Sequence, residues 1–95
     1  MSAFIIVEIE IRDAEPYERY KQLAPPSIAA YGGRYIVRGG DVETLEGDWK
    51  PRRLVVLEFP TVDLARAWWS SFEYAEGKEL RQSCADTKMI LVAGL

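Results

Sequence analysis

The chain opens on an apolar stretch, Phe4-Ile5-Ile6-Val7-Glu8-Ile9-Glu10-Ile11. Its β-branched residues, with period-two alternation in the second half, predict a strand over 4–11. Asp13 stands where a helix would be capped, and Glu15 suits the positive end of the helix dipole. Pro16 falls in the first turn, where a missing N–H has no partner to lose. Tyr17, Tyr20 and Ala24 then recur at helical spacing. Pro25-Pro26 interrupts them and predicts a kink or break. A short second segment follows, carrying Ile28 and Tyr31 on the same face and ending at Gly32-Gly33. Arg34–Arg38 and Arg53–Phe59 read as two further strands, joined by a long loop from Gly39 to Arg52 that contains Trp49 and Pro51. Pro60 ends the third strand. Thr61 caps a helix with Asp63 in its first turn and with Leu64, Ala65, Trp68 and Phe72 on one stripe. Ser70-Ser71-Phe72-Glu73 has capping-box spacing and starts another helical segment, running past Leu80 towards Cys84. Lys88–Gly94 reads as the final strand.

The order β-α-β-β-α-β is the split βαβ arrangement of ferredoxin-like folds, an α+β architecture with a four-stranded antiparallel sheet and its helices on one face. Right-handed crossovers place strands one and three at the centre. Alternation puts Ile5, Val7, Ile9 and Ile11 on the helix face, beside Val55, Leu57, Phe59, Ile90 and Val92. The opposite face carries Phe4, Ile6, Glu8, Glu10, Arg34, Ile36, Arg38, Leu54, Val56, Glu58, Met89 and Leu91, which is too apolar to meet water across its width. The helices cannot cover both faces. A second copy covering this one predicts a homodimer, sheet against sheet, burying on the order of 2,000 Å² or more.

Ninety-five residues make one domain, residues 1–95, with ordinary globular composition. Acids outnumber bases 15 to 12, which argues against nucleic acid as a partner, since phosphate binding needs a basic face. Cys84 is the only cysteine, so there is no intrachain disulfide to suggest an oxidising compartment. Apolar runs stop at five residues, too short for a membrane span or a signal-peptide core, and the expected location is the cytoplasm. The absence of histidine from the sequence removes the commonest general base and metal ligand. It also rules out histidine-based triads and leaves Cys84 without an activating partner.

Chemistry then falls to a few residues. On the mixed face Glu8 and Glu58 lie on adjacent central strands, with Arg34 and Arg38 on the neighbouring edge strand. A carboxylate beside an arginine is held ionised, and one without it rises towards general-base range. The same cluster also reads as paired charges that set dimer register. Tyr17, Tyr20, Tyr31, Tyr35, Trp49, Trp68, Trp69 and Tyr74 form an aromatic surplus. Trp68 and Trp69 diverge by roughly 100° on a helix, so both cannot lie centrally on one packing stripe. The loop acids Asp41, Glu43, Glu46 and Asp48 do not have the spacing of a calcium loop and read as a solvated face. Gly39-Gly40 lacks the following Lys-Ser/Thr of a phosphate loop and reads as a turn.

Tyr31-Gly32-Gly33-Arg34-Tyr35-Ile36-Val37-Arg38-Gly39-Gly40, then Leu45-Glu46-Gly47-Asp48-Trp49, Leu57-Glu58-Phe59-Pro60 and Ser71-Phe72-Glu73-Tyr74, together resemble the family known as domain of unknown function 1330. That family lies within the dimeric α/β-barrel superfamily. The resemblance covers essentially the whole chain and implies the ferredoxin-like fold and the sheet-to-sheet dimer, but no established activity. Superfamily relatives include cofactor-independent monooxygenases, muconolactone-type isomerases and haem-dependent enzymes; a branch that relies on an axial histidine has no counterpart in this sequence. The Pro25-Pro26 doublet and the Trp68-Trp69 pair depart from the family pattern and bear on the shape of any pocket. Three readings follow. In the first, an enzyme acts without metal or organic cofactor on a small, partly aromatic molecule. Glu58 is its acid/base and Arg38 its anion stabiliser, while Arg34, Tyr35, Trp69, Tyr74 and Glu8 contact the ligand. The second is a small-ligand-binding module without chemistry, and the third a structural dimer.

Overall fold

The computed structural model describes all residues, Met1–Leu95. Strand β1 (Ala3–Ile11) leads into helix α1 (Ala14–Ala30), followed by β2 (Arg34–Arg38), β3 (Arg53–Phe59), the short helix α2 (Val62–Trp69), α3 (Phe72–Cys84) and β4 (Ala85–Ala93). The sheet is antiparallel in the order β2-β3-β1-β4, so β3 and β1 are central, as the crossover argument requires. The Cα atoms span 36 × 33 × 16 Å. That thinnest dimension accommodates one helical layer on one side of the sheet and nothing on the other.

Ala3, Ile5, Val7 and Ile9 alternate inward along β1, and Val55, Leu57 and Phe59 do so along β3. They meet Tyr17, Ala24, Ile28, Ala65, Trp68 and Tyr74 from the helices in one core. Trp68 is the largest side chain buried there. Its ring stacks on Tyr74 at 4.1 Å between centroids, and its Nε1–H donates to Ser27 Oγ at 3.1 Å, the polar partner a buried indole needs. Trp69 diverges to the surface, 44% exposed.

Several expectations are revised. Strand β4 begins at Ala85 and has the opposite phase: Met89 pairs with Val7 and Leu91 with Ile5. Met89 and Leu91 therefore face the helices, while Ile90 and Val92 face outward with Phe4 and Ile6. Phe72 leaves the α2 stripe because Ser71 caps a new helix there, with its Oγ accepting from Tyr74 N at 3.1 Å; Phe72 is 91% exposed. Asp13 occupies the cap position of α1 in extended backbone, but its side chain makes no capping bond. The corner is held instead by the N–H groups of Arg12 and Asp13, which both donate to Cys84 O. Thr61 caps α2 as expected, accepting from Leu64 N.

Helix α1 runs unbroken through Pro25 and Pro26. Proline's fixed φ is helical, so the consequence is the loss of two N–H donors. The carbonyl that Pro25 leaves without its helical donor belongs to Lys21, and Arg38 Nη2 donates to it across the interface at 3.3 Å. The helix ends in a Schellman motif: Gly33 N donates to Ile28 O and Gly32 N to Ala29 O. Gly32 sits at φ 77°, a conformation that favours glycine.

Candidate functional site

The edge strand β2 decides which charges meet. Arg34 pairs with Glu58 and Tyr35 with Leu57, but Val37 pairs with Val56 and Arg38 with Val55. Ile36 is an extra residue, so the strand bulges and its phase flips. Arg34 stays on the outer face. Its Nε and Nη2 both donate to Glu58 Oε1, at 2.9 and 2.6 Å, and these bonds hold the Glu58 carboxyl below the usual range. Arg38 turns to the helix side, its guanidinium 4.3 Å over the Tyr35 ring. The strict alternation that grouped Arg34, Arg38 and Glu58 is thus corrected. Glu58 and Arg38 lie on opposite sides of the sheet.

Glu8 also faces outward, opposite Leu54 and Lys88, in a groove of about 180 Å³ that it shares with Glu10, Arg52 and Asp86. Tyr74 is fully buried in the core and faces neither solvent nor an open cleft. Trp69 walls a groove of about 340 Å³ beside β4, and Lys78 Nζ lies 4.0 Å over its ring.

On the helix side the structure joins Arg38 and the tyrosines to two arginines that sequence spacing did not single out, Arg53 and Arg81. Five of the eight arginines in the sequence pair with carboxylates: Arg12, Arg19, Arg34, Arg52 and Arg66. The other three, Arg38, Arg53 and Arg81, have no carboxylate within 4.0 Å, and all three lie on the helix side. Arg38 and Arg53 flank Tyr17, Tyr20 and Tyr35 around an interior cavity of about 20 Å³, room for a single water. Arg53 Nε is buried there without a hydrogen-bond partner. Arg81, 3% exposed, stands on the inward face of α3. Its Nε donates to Tyr74 Oη at 3.2 Å and its Nη1 to Thr87 Oγ1. Tyr74 Oη in turn shares a hydrogen bond with Tyr20 Oη at 2.9 Å. A chain of polar groups therefore crosses the core, from the groove beside β4, through Arg81 and Tyr74, to Tyr20 at the interior cavity.

Burial, with Tyr74 beside it, pushes the Tyr20 phenol far above its ordinary value. Tyr35 is raised by burial too, partly opposed by Arg38. Both phenols stay protonated near neutrality and act as hydrogen-bond donors rather than bases. Burial also raises the Cys84 thiol. No group of three or more acidic or thiol side chains is placed to hold a metal ion. The one inward arginine that spacing could have exposed is Arg81, which recurs with Tyr74, Gly77 and Cys84 at helical intervals.

This sheet order, with its helices on one face, defines a ferredoxin-like α+β fold. Residues 2–95 match the family model "Domain of unknown function (DUF1330)", and the chain belongs to that family. No functionally curated protein matches it in sequence. Among solved structures, a protein of unknown function from Rhodopseudomonas palustris superposes with TM-score 0.79 at 20% identity, over 99% of this chain and 82% of that one. A dimeric protein of unknown function with ferredoxin-like fold from Bacteroides fragilis gives 0.60 at 15% identity, covering 98% and 96%. SnoaB of Streptomyces nogalater, a cofactor-independent oxygenase, gives 0.58 at 11% identity, covering 99% and 93%. At these identities the likeness shows the fold. No helix is long and apolar enough to cross a membrane.

Proposed function

We propose that the chain is a cofactor-independent enzyme that works by acid/base chemistry on a small, partly aromatic organic anion, bound on the helix side of the sheet. The observation that carries this is the gathering of Arg38, Arg53 and Arg81, each without a carboxylate partner, around protonated tyrosines. A site built from fixed cationic and phenolic donors suits a substrate that carries or develops negative charge, such as an enolate or phenolate. Only the anionic oxygen enters the water-sized cavity, where Arg38 stabilises it beside Tyr35. Tyr20 donates to the developing oxyanion, with Tyr74 and Arg81 fixing its hydroxyl, and the proton lost from carbon passes to solvent water or hydroxide. That SnoaB is a cofactor-independent oxygenase is consistent with such chemistry on this fold, as an analogy of fold alone.

Glu58, ionised by Arg34 on the opposite face, takes the pairing role. Two copies form a homodimer through the apolar outer faces built from Phe4, Ile6, Leu54, Val56 and Ile90, and the Arg34–Glu58 pairs set their register.

The test is solvent deuterium incorporation at the methylene carbon next to the ketone of phenylpyruvate, 4-hydroxyphenylpyruvate and benzoylacetate, followed by proton NMR. Exchange of at least one of them should be faster than in buffer. The acceleration should fall by about 10²-fold or more in Tyr20→Phe and Arg38→Met, and persist in Glu58→Gln. No acceleration with any of the three overturns the enzyme reading in favour of the ligand-binding module. Loss in Glu58→Gln with Tyr20→Phe unaffected returns the chemistry to the outer face.

A further inference from the structure

The groove between α2, the last turns of α3 and β4 differs from the other clefts of the molecule in the chemistry of its walls. Ile5, Met89 and Leu91 form its floor, Trp69 its side, and Arg81 with Thr87 its polar end. No acidic residue lines it. At about 340 Å³ it stands at the lower end of the range for small-molecule sites, which are mostly apolar with a few convergent polar groups. That is room for one aromatic ring with its substituents.

Arg81 is the unusual element. A guanidinium carries five N–H donors and is always charged, and a buried charge is normally paired. The protein takes two of those donors, through Tyr74 Oη and Thr87 Oγ1, and leaves Nη2 with no hydrogen bond. The position of Arg81 in the last turn of α3 gives it the negative end of the helix dipole, which eases its burial without neutralising it. The carboxylate on the neighbouring strand is no counter-ion: Asp86 lies on the other side of β4 and pairs with Arg12 at 3.0 Å. The second guanidinium at the groove, Arg66, is paired with Asp63 at the surface.

We infer that this groove is a carboxylate site, with Arg81 as the ligand of the carboxylate and Trp69 against the ring that carries it. The inference rests on the proposed function in taking the helix side as the working face, and it adds to that face a second anion site, for aromatic carboxylates, at the β4 edge and lined by neither Arg38 nor Tyr20. The unpaired donors of Arg81 match an anion's planar acceptors. The Tyr74 and Thr87 bonds fix its plane in advance, and the apolar floor receives the ring.

The probes are sodium benzoate and its neutral isostere benzamide, titrated into the wild-type protein by calorimetry, with the contact mapped by amide and indole chemical shifts. Benzoate should bind about tenfold or more tighter than benzamide, the gap expected of a hydrogen bond to a charged group. The shifts should centre on the Trp69 indole and the Thr87 amide. In Arg81→Met, an apolar replacement of similar length, the two ligands should bind alike. Equal affinity of benzoate and benzamide for the wild type overturns the site, as do shifts centred on Tyr35 and Arg38 instead. These two readouts need no variant, so they decide the matter even where Arg81→Met fails to fold. Benzoate discrimination without any accelerated exchange of the keto acids removes the enzyme and keeps the site. Accelerated exchange without discrimination removes the site alone.

Discussion

The phenol pair at the centre of the polar chain allows a stability prediction that separates its two members. Tyr20→Phe deletes one hydrogen bond, the 2.9 Å contact to Tyr74 Oη, and leaves Tyr74 still accepting from Arg81 Nε at 3.2 Å. Its expected cost is that of one neutral hydrogen bond, about 1 kcal/mol. Tyr74→Phe deletes the same bond and also strips Arg81 Nε of its acceptor in a buried setting. A bond to a charged group contributes about 1.5–3 kcal/mol, so the sum is roughly 2–4 kcal/mol, a large share of the roughly 5–14 kcal/mol expected for a chain of this length. The phenyl ring of that variant still stacks on Trp68, so the hydroxyl alone is measured. Because the Tyr20–Tyr74 bond is removed once in either background, the double variant should cost about as much as Tyr74→Phe alone. The coupling is then about 1 kcal/mol. Urea denaturation followed by far-UV circular dichroism at pH 7 reads all three variants. The raised phenol of Tyr20 adds a pH signature. The folded state keeps a proton that the unfolded chain loses near pH 10, so its contribution is intact below that pH and declines above it. Tyr20→Phe should flatten that alkaline decline. Equal costs for the two single variants, or strictly additive costs in the double, would refute the orientation Arg81 to Tyr74 to Tyr20.

Two further outcomes test the outer face and the proline doublet. Ile90→Lys places a charge on the apolar outer sheet face, midway along the edge strand β4, at a position 59% exposed in the single chain; size-exclusion chromatography with light scattering should show a folded monomer in place of the proposed dimer, and an unchanged dimer rejects this face as the interface. Arg38→Met should cost about 1 kcal/mol in the wild type, where its Nη2 serves Lys21 O. That cost should be clearly smaller in Pro25→Ala, whose restored N–H serves the same carbonyl; equal costs by urea denaturation would disconnect Arg38 from the proline.

Element order, sheet topology and most element ends are legible because each rests on a local signal: the β-branched run of β1, Thr61 and Ser71 as caps, Gly32-Gly33 as a stop. Strand phase is harder to read. In β4 the run Met89-Ile90-Leu91-Val92 is apolar throughout and gives no alternation of its own. The usable signal lies just before it, where Asp86 and Lys88 point outward and Thr87 inward, and extending that phase places Ile90 and Val92 correctly. A strand boundary at Lys88, three residues late, cuts off this signal. The unbroken α1 escapes sequence reading for a related reason: the weight of two missing N–H groups depends on what serves the freed carbonyls, and one server is an arginine on another element.

The site is less legible than the fold, and the cause is the bulge at Ile36. Nothing within Arg34-Tyr35-Ile36-Val37-Arg38 marks it: no glycine interrupts the strand, and both arginines sit at even spacing, which simple pleating assigns to one face. The extra residue turns Arg38 to the helix side, where its Nη2 meets the carbonyl of Lys21, freed by Pro25 thirteen positions earlier in the sequence. The doublet that looks like a flaw in α1 and the arginine assigned to the sheet face are two ends of one contact. A feature that resides in neither segment alone cannot be read by inspecting either. The same holds for Arg81, whose significance is the lack of a carboxylate where the fold brings it to rest. Sequence spacing can place two charges together, but that a third has no partner becomes visible only when every neighbour is in place.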